Sequence, residues 1–108
     1  MLIYISGPIM IGDQFTNLSN AIAAGEMIAS TGHDVVIPHL NCIWHLIFPH
    51  EYEFWMEQDL ALLARCDAIF RIEGESAGAE CEIEFAEEHG IRRVTLADLG
   101  IGVRKADG

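Results

Sequence analysis

Basic residues are scarce in this chain. Six Lys and Arg stand against 17 Asp and Glu in 108 residues, a formal net charge of −11. A surface of that sign repels polyanions, and binding DNA, RNA or an anionic membrane face needs clustered Lys and Arg. Nucleic-acid polymers and membranes are therefore not expected partners. A small nucleotide is still allowed, because helix N-termini and backbone N–H groups hold one phosphate without a basic patch. Cysteine is also sparse. Cys42, Cys66 and Cys81 are odd in number and form no CxxC pair. That argues against a disulfide framework and points to reduced thiols in a cytoplasmic protein. Repeats, linkers and low-complexity segments are missing. The apolar stretch 35–48 is interrupted by Pro38, His39, Asn41 and His45, too short and too polar to span a bilayer. No basic leader precedes the first apolar run, so no signal peptide is expected.

What is present is apolar surface enough for one core. Hydrophobic residues make up 51% of the chain, more than disordered chains carry. The length fits one domain that buries about two-thirds of its unfolded surface. Short β-rich runs alternate with helical ones. Leu2–Ser6 reads as a buried strand ended by Gly7-Pro8, and residues 13–30 as a helix capped by Asp13 and stopped by Gly32. Residues 34–37 form a second strand closed by Pro38, and 39–50 a long, apolar, His-rich loop. A helix over 51–65, a strand over 67–72, a turn at Glu73-Gly74-Glu75, a helix capped by Ser76 and stopped by Gly90, and a strand over 92–96 complete the pattern. The order predicts a single-domain α/β fold, flavodoxin/Rossmann-like and three-layered, with a parallel sheet of four to five strands. The domain spans 1–108, with 96–108 as a loosely ordered tail. Ligands of such sheets bind beyond the C-terminal strand ends. Here those ends carry Ser6, Gly7, Pro8, His39 and the turn up to Ser76.

Two carboxylates break the binary pattern. With about 100° per residue in the helix after Ser76, Ala79, Ile83, Phe85 and Ala86 share one arc. Glu80, Glu84, Glu87 and Glu88 lie opposite, on a solvated face. Glu82 falls in the middle of the apolar arc. In the preceding helix Asp59 sits centrally among Trp55, Met56, Leu60, Leu62 and Leu63. A carboxylate facing a core costs several kcal/mol unless paired, protonated or set in a cleft. Either acid alone has an ordinary explanation, as a tilted helix end or a cap. Two on successive helices point to a pocket with tunable acids, as acid/base and nucleophilic chemistry requires. A carboxylate pair also serves glycoside cleavage, one attacking the anomeric carbon and the other protonating the leaving group.

Three segments carry a resemblance. They are Ile3-Tyr4-Ile5-Ser6-Gly7-Pro8, then Asp59-Leu60 with Cys66-Asp67-Ala68-Ile69, then Ser76-Ala77-Gly78-Ala79-Glu80-Cys81-Glu82. In this order and spacing the chain resembles the nucleoside 2-deoxyribosyltransferase-like superfamily, which includes 2′-deoxynucleoside 5′-monophosphate N-hydrolases. The resemblance implies cleavage or transfer of a deoxynucleoside N-glycosidic bond through a covalent glycosyl-enzyme intermediate. It implies a small nucleoside or nucleotide as partner, no cofactor, and a homodimer or higher homo-oligomer. Glu82 resembles the nucleophile, Asp59 the acid/base, and Tyr4 the tyrosine that orients the nucleophile. Gly7 resembles the loop glycine near the sugar, and Ser76 and Gly78 the residues at the substrate's 5′ end. The loop Pro8-Ile9-Met10-Ile11-Gly12 lacks the cation found in monophosphate-hydrolysing relatives, which tilts the reading toward a nucleoside. Two other readings remain open on the residues: a non-catalytic nucleotide sensor, and an N-glycosidase acting on NAD or a ribonucleotide.

Other residues carry weaker signals. His39, His45, His50 and Cys42 match no standard zinc spacing, so no metal is expected. His39 follows the second strand and is placed in the pocket. Trp44, in the presumed loop, reads as a base-stacking or interface residue, and Trp55 as core.

Overall fold

The computed structural model describes residues 1–101. The elements are β1 (Leu2–Ser6), α1 (Gln14–Ala29), β2 (Asp34–Val36), a 3-10 turn (Pro38–Leu40), α2 (Asn41–Ile47), α3 (Tyr52–Leu63), β3 (Ala68–Arg71), α4 (Ala77–Glu88), β4 (Arg92–Val94) and a second 3-10 turn (Ala97–Leu99). Four parallel strands form one sheet in the order β2-β1-β3-β4. Tyr4 is in register with Val36 on one side and Ile69 on the other, and Ser6 with Arg71. The α/β, three-layer architecture expected from the sequence is the one observed.

Strand alternation divides β1 between two cores. Ile3 and Ile5 pack with Ala21 and Ile28 of α1 and with Ala68 and Val94. Tyr4 faces the opposite way, among Leu63, Cys66, Ile69, Ile83 and Ala86 beneath α3 and α4. The buried residues of α1 are Ala21, Gly25 and Ile28, spaced along one helical face. Ala21 and Gly25 are small where the helix passes close to its neighbours; a Cβ on Gly25 would come within 2.5 Å of Ile37 Cδ1, just past β2. Asp13 caps α1 by accepting the Thr16 N–H at 3.1 Å, and Ser76 caps α4 by accepting the Ala79 N–H at 3.1 Å. Both caps satisfy N–H groups that a helix start leaves unpaired.

Two stretches depart from the sequence reading. Residues 39–50 are not a loop: Pro38 opens a 3-10 turn and α2 follows directly, ending before Pro49. No residue of α2 is buried, and all but Asn41 and His45 are apolar, so no polar face sets off an apolar one to announce a helix. Trp44 lies in α2 and meets the Trp55 ring edge-on, with centroids 4.9 Å apart. His45 Nδ1 accepts the Trp55 indole N–H at 2.8 Å, and His50 stacks on Phe54. The histidines thus join α2 to the start of α3. In the stretch read as a tail, residues 96–101 hold the second 3-10 turn, and Leu96, Leu99 and Ile101 pack on the α1-side core. Residues 102–108 of that stretch lie outside the described residues. Among the described residues no helix is long and apolar enough to cross a membrane.

Candidate active site

The site grows from the centre of the sheet. Tyr4 and Ser6, two residues apart on β1, point to the same face, where α4 lies. Tyr4 Oη donates to Glu82 Oε2 at 2.7 Å, and Ser6 Oγ donates to Glu82 Oε1 at 2.6 Å. Both carboxylate oxygens therefore accept hydrogen bonds, the pattern of the ionised group. Glu82 is 6% exposed. Burial pushes its pKa up, while the hydrogen bonds from Ser6 and Tyr4 and the charge of Arg71 pull it back. Burial, reinforced by Glu82, likewise holds the Tyr4 phenol protonated far above its ordinary range.

Asp59 comes from α3, the helix packed beside α4. It is 7% exposed, and its Oδ1 has no hydrogen-bond partner. Burial first, and then the Glu82 charge, raise its pKa to about 7. The two acids are thus set apart electrostatically. Glu82 is clasped by donors, whereas Asp59 is desolvated beside another acid and takes up a proton near neutrality.

The remaining predicted residues surround this pair unequally. Gly78 stands one helical turn before Glu82 on α4, and Ser76 caps that helix. A Cβ on Gly78 would lie 3.5 Å from Tyr52 Oη, 3.6 Å from Met56 Cε and 3.9 Å from Ser76 Oγ. Gly7 and Pro8 interlock with the loop after β3: a Cβ on Gly7 would meet Ile72 Cβ at 2.8 Å, and one on Gly74 would meet Pro8 Cγ at 2.7 Å. Gly74 has φ +129°, a backbone region that side chains avoid. Packing thus requires a glycine at position 7 whatever its part in binding. His39, 2% exposed, lies against the Gly7–Pro8 backbone, near enough for its ring to feel the two backbone groups but without a well-aligned hydrogen bond to either. Burial lowers its pKa, so the ring is neutral. It makes no hydrogen bond to Tyr4, Ser6, Asp59 or Glu82.

Two neighbours of the pair escaped the sequence reading. Arg71, at the end of β3, donates to Glu80 Oε2 at 2.7 Å, to the Gly74 carbonyl at 3.0 Å and to the Ile72 carbonyl. Its influence on Glu82 follows from the β1–β3 register, which sets Arg71 beside Ser6. Tyr52 starts α3 and gave no signal at all. A cavity of about 600 Å³ lies on the other flank of α4, between Arg71, Glu75, Ala77, Glu80 and Arg93. Ser76 also lines it, whereas Asp59 and Glu82 do not. Among the described residues, no three His, Cys, Asp or Glu side chains are grouped to hold a metal ion.

Residues 1–95 match the family model described as "Domain of unknown function (DUF4406)". The chain belongs to this family. The DUF4406 match covers all four strands and all four helices, and with them every residue of the carboxylate site. No curated protein matches the sequence. Among solved structures, the chain is similar to a 2-deoxyribosyltransferase from the psychrotolerant bacterium Bacillus psychrosaccharolyticus. The TM-score is 0.65 at 22% sequence identity, over 88% of this chain and 71% of the other. This DUF4406 member therefore shares that enzyme's fold, in line with the resemblance read from the sequence.

Proposed function

We propose that the chain cleaves or exchanges the N-glycosidic bond of a 2′-deoxynucleoside or its 5′-monophosphate. One observation carries this reading. A buried carboxylate held by two hydroxyl donors acts electrostatically on a second buried acid whose pKa stands at about 7. Glu82 attacks C1′ as the C1′–N bond breaks, and the Asp59 proton goes to the departing nitrogen, so the base leaves neutral. The sugar remains as an ester on Glu82. Asp59, now a carboxylate, takes a proton from water or from a second base as that nucleophile attacks C1′, and Glu82 is released. Tyr4 and Ser6 hold Glu82 in position and Arg71 favours its ionised form, while Ser76, Gly78, Gly7, Pro8 and His39 frame the substrate. No cofactor enters these steps. The shared fold with a 2-deoxyribosyltransferase supports the reaction class.

The test is release of free base. Purified protein is incubated with a panel of 2′-deoxynucleosides and their monophosphates, and the products are separated chromatographically. Wild-type protein should release base and Glu82→Ala should not. Equal behaviour of the two proteins would overturn the mechanism.

Self-association is part of the proposal. α2 presents Ile43, Leu46 and Ile47, followed by Phe48, at 58 to 80% exposure. No charged side chain falls between residues 35 and 50 in a chain of net charge −11. Exposed apolar patches bounded by polar surface mark contacts, and an uncharged one lets like-charged copies meet. A cytoplasmic location fits three free cysteines.

A further inference from the structure

Tyr52, Met56 and Asp59 are spaced i, i+4, i+7 on α3 and so share a face. Opposite them on α4, Gly78 and Glu82 are spaced i, i+4. At the lower level Asp59 and Glu82 are near enough for the charge of one to act on the other. One turn higher, the missing side chain of Gly78 leaves a gap between two hydroxyls. The position of a Cβ there is 3.5 Å from Tyr52 Oη and 3.9 Å from Ser76 Oγ. Ser76 Oγ accepts the Ala79 N–H, which leaves its own proton free to donate. Tyr52 is 59% exposed overall, yet its hydroxyl is turned inward over Gly78.

We propose that Tyr52 is a substrate-binding residue whose hydroxyl, with that of Ser76, donates to the 5′-oxygen of the substrate sugar. The inference rests on the reading of Glu82 as the nucleophile. With C1′ at Glu82, C5′ hangs from the ring carbon on the other side of the ring oxygen. One helical turn rises about 5.4 Å, which brings the 5′-oxygen to the level of Gly78. The groups around Tyr52 keep it a donor. Partial burial and then Cys81, Glu82, Asp59 and Glu53 raise its pKa. An oxygen acceptor is matched there, whether a 5′-hydroxyl or the ester oxygen of a 5′-phosphate.

The experiment compares wild type with Tyr52→Phe, which keeps the ring and removes only the hydroxyl. Three substrates are used: a 2′-deoxynucleoside, its 5′-monophosphate and the matching 2′,5′-dideoxynucleoside. KM for the 5′-oxygenated substrate should rise about five- to tenfold, the effect of one lost hydrogen bond. Its kcat should stay within about twofold. For the dideoxy substrate, which has no 5′-oxygen, the variant should match wild type. The monophosphate arm tells which form of the oxygen is held. An equal effect on all three substrates, no effect on any, or a loss confined to kcat overturns the assignment of Tyr52 while leaving the glycosidase reading intact. A wild-type protein that releases no base from any of them overturns both.

Discussion

Tyr4 and Glu82, 78 residues apart in sequence, meet through a 2.7 Å hydrogen bond at the centre of the molecule. Ser6 completes the clasp on the other carboxylate oxygen. A hydrogen bond to a charged, buried group is worth about 1.5–3 kcal/mol. Tyr4→Phe and Ser6→Ala should therefore each lower kcat/KM by about 10- to 100-fold. Each should also raise the pKa of Glu82 and move the acid limb of the pH–rate profile upward. An unmoved acid limb in both variants would show that the hydroxyls do not tune Glu82.

On the proposed mechanism, Asp59 sets the basic limb. Its pKa of about 7 means that the proton needed by the leaving base is lost as pH rises through neutrality. Wild-type kcat/KM should fall above about pH 7. Asp59→Asn should lose about 10²–10⁴-fold in rate and lack that limb. Base release by Asp59→Asn at the wild-type rate would remove Asp59 from the mechanism.

The same group predicts an unusual dependence of stability on pH. Its folded pKa lies above its unfolded value of 3.8. The native state therefore binds more protons than the unfolded state between these values, and stability falls as pH rises from about 4 to about 7. Asp59→Asn removes the charge. At pH 8 it should unfold at higher denaturant than wild type, by a few kcal/mol, since each pKa unit corresponds to about 1.4 kcal/mol. At pH 4 the gap should nearly close. A variant less stable than wild type at pH 8 would contradict the burial argument.

Gly7→Ala tests the interlocked loops. The added methyl meets Ile72 Cβ at 2.8 Å, and that atom is fixed to the backbone. Overpacking of this kind costs about 1–3 kcal/mol. Urea titration should show the loss with no ligand present. Full stability together with weak substrate binding would instead assign Gly7 wholly to the ligand.

α2 offers a test of assembly. Leu46→Lys and Phe48→Lys place charges on side chains 80% and 65% exposed, so neither should harm the fold. Light scattering should give a multiple of the 12.0 kDa chain mass for wild type and a smaller species for the double variant. A monomeric wild type refutes assembly through α2.

The carboxylates were legible in the sequence because they offend a helical pattern, and both prove buried. Ser76 and Asp13 were legible as caps for a similarly local reason. What stayed hidden depends on distant pairing. Ser6 reads as the end of a strand, and its bond to Glu82 exists only because β1 brings it under α4. Arg71 acquires its place beside Glu82 through the register of β3 against β1. Tyr52 looks like any tyrosine opening a helix until α3 is laid beside Gly78. α2 has no outline in the sequence because all but two of its seven residues are apolar, so periodicity finds no contrast between faces.

β1 is hydrogen-bonded along both edges, to β2 and to β3. The two hydroxyls that grip Glu82 therefore stand on an interior strand, framed by backbone hydrogen bonds on both sides. A rigid cradle of that kind can be neither loosened nor re-aimed without dismantling the sheet.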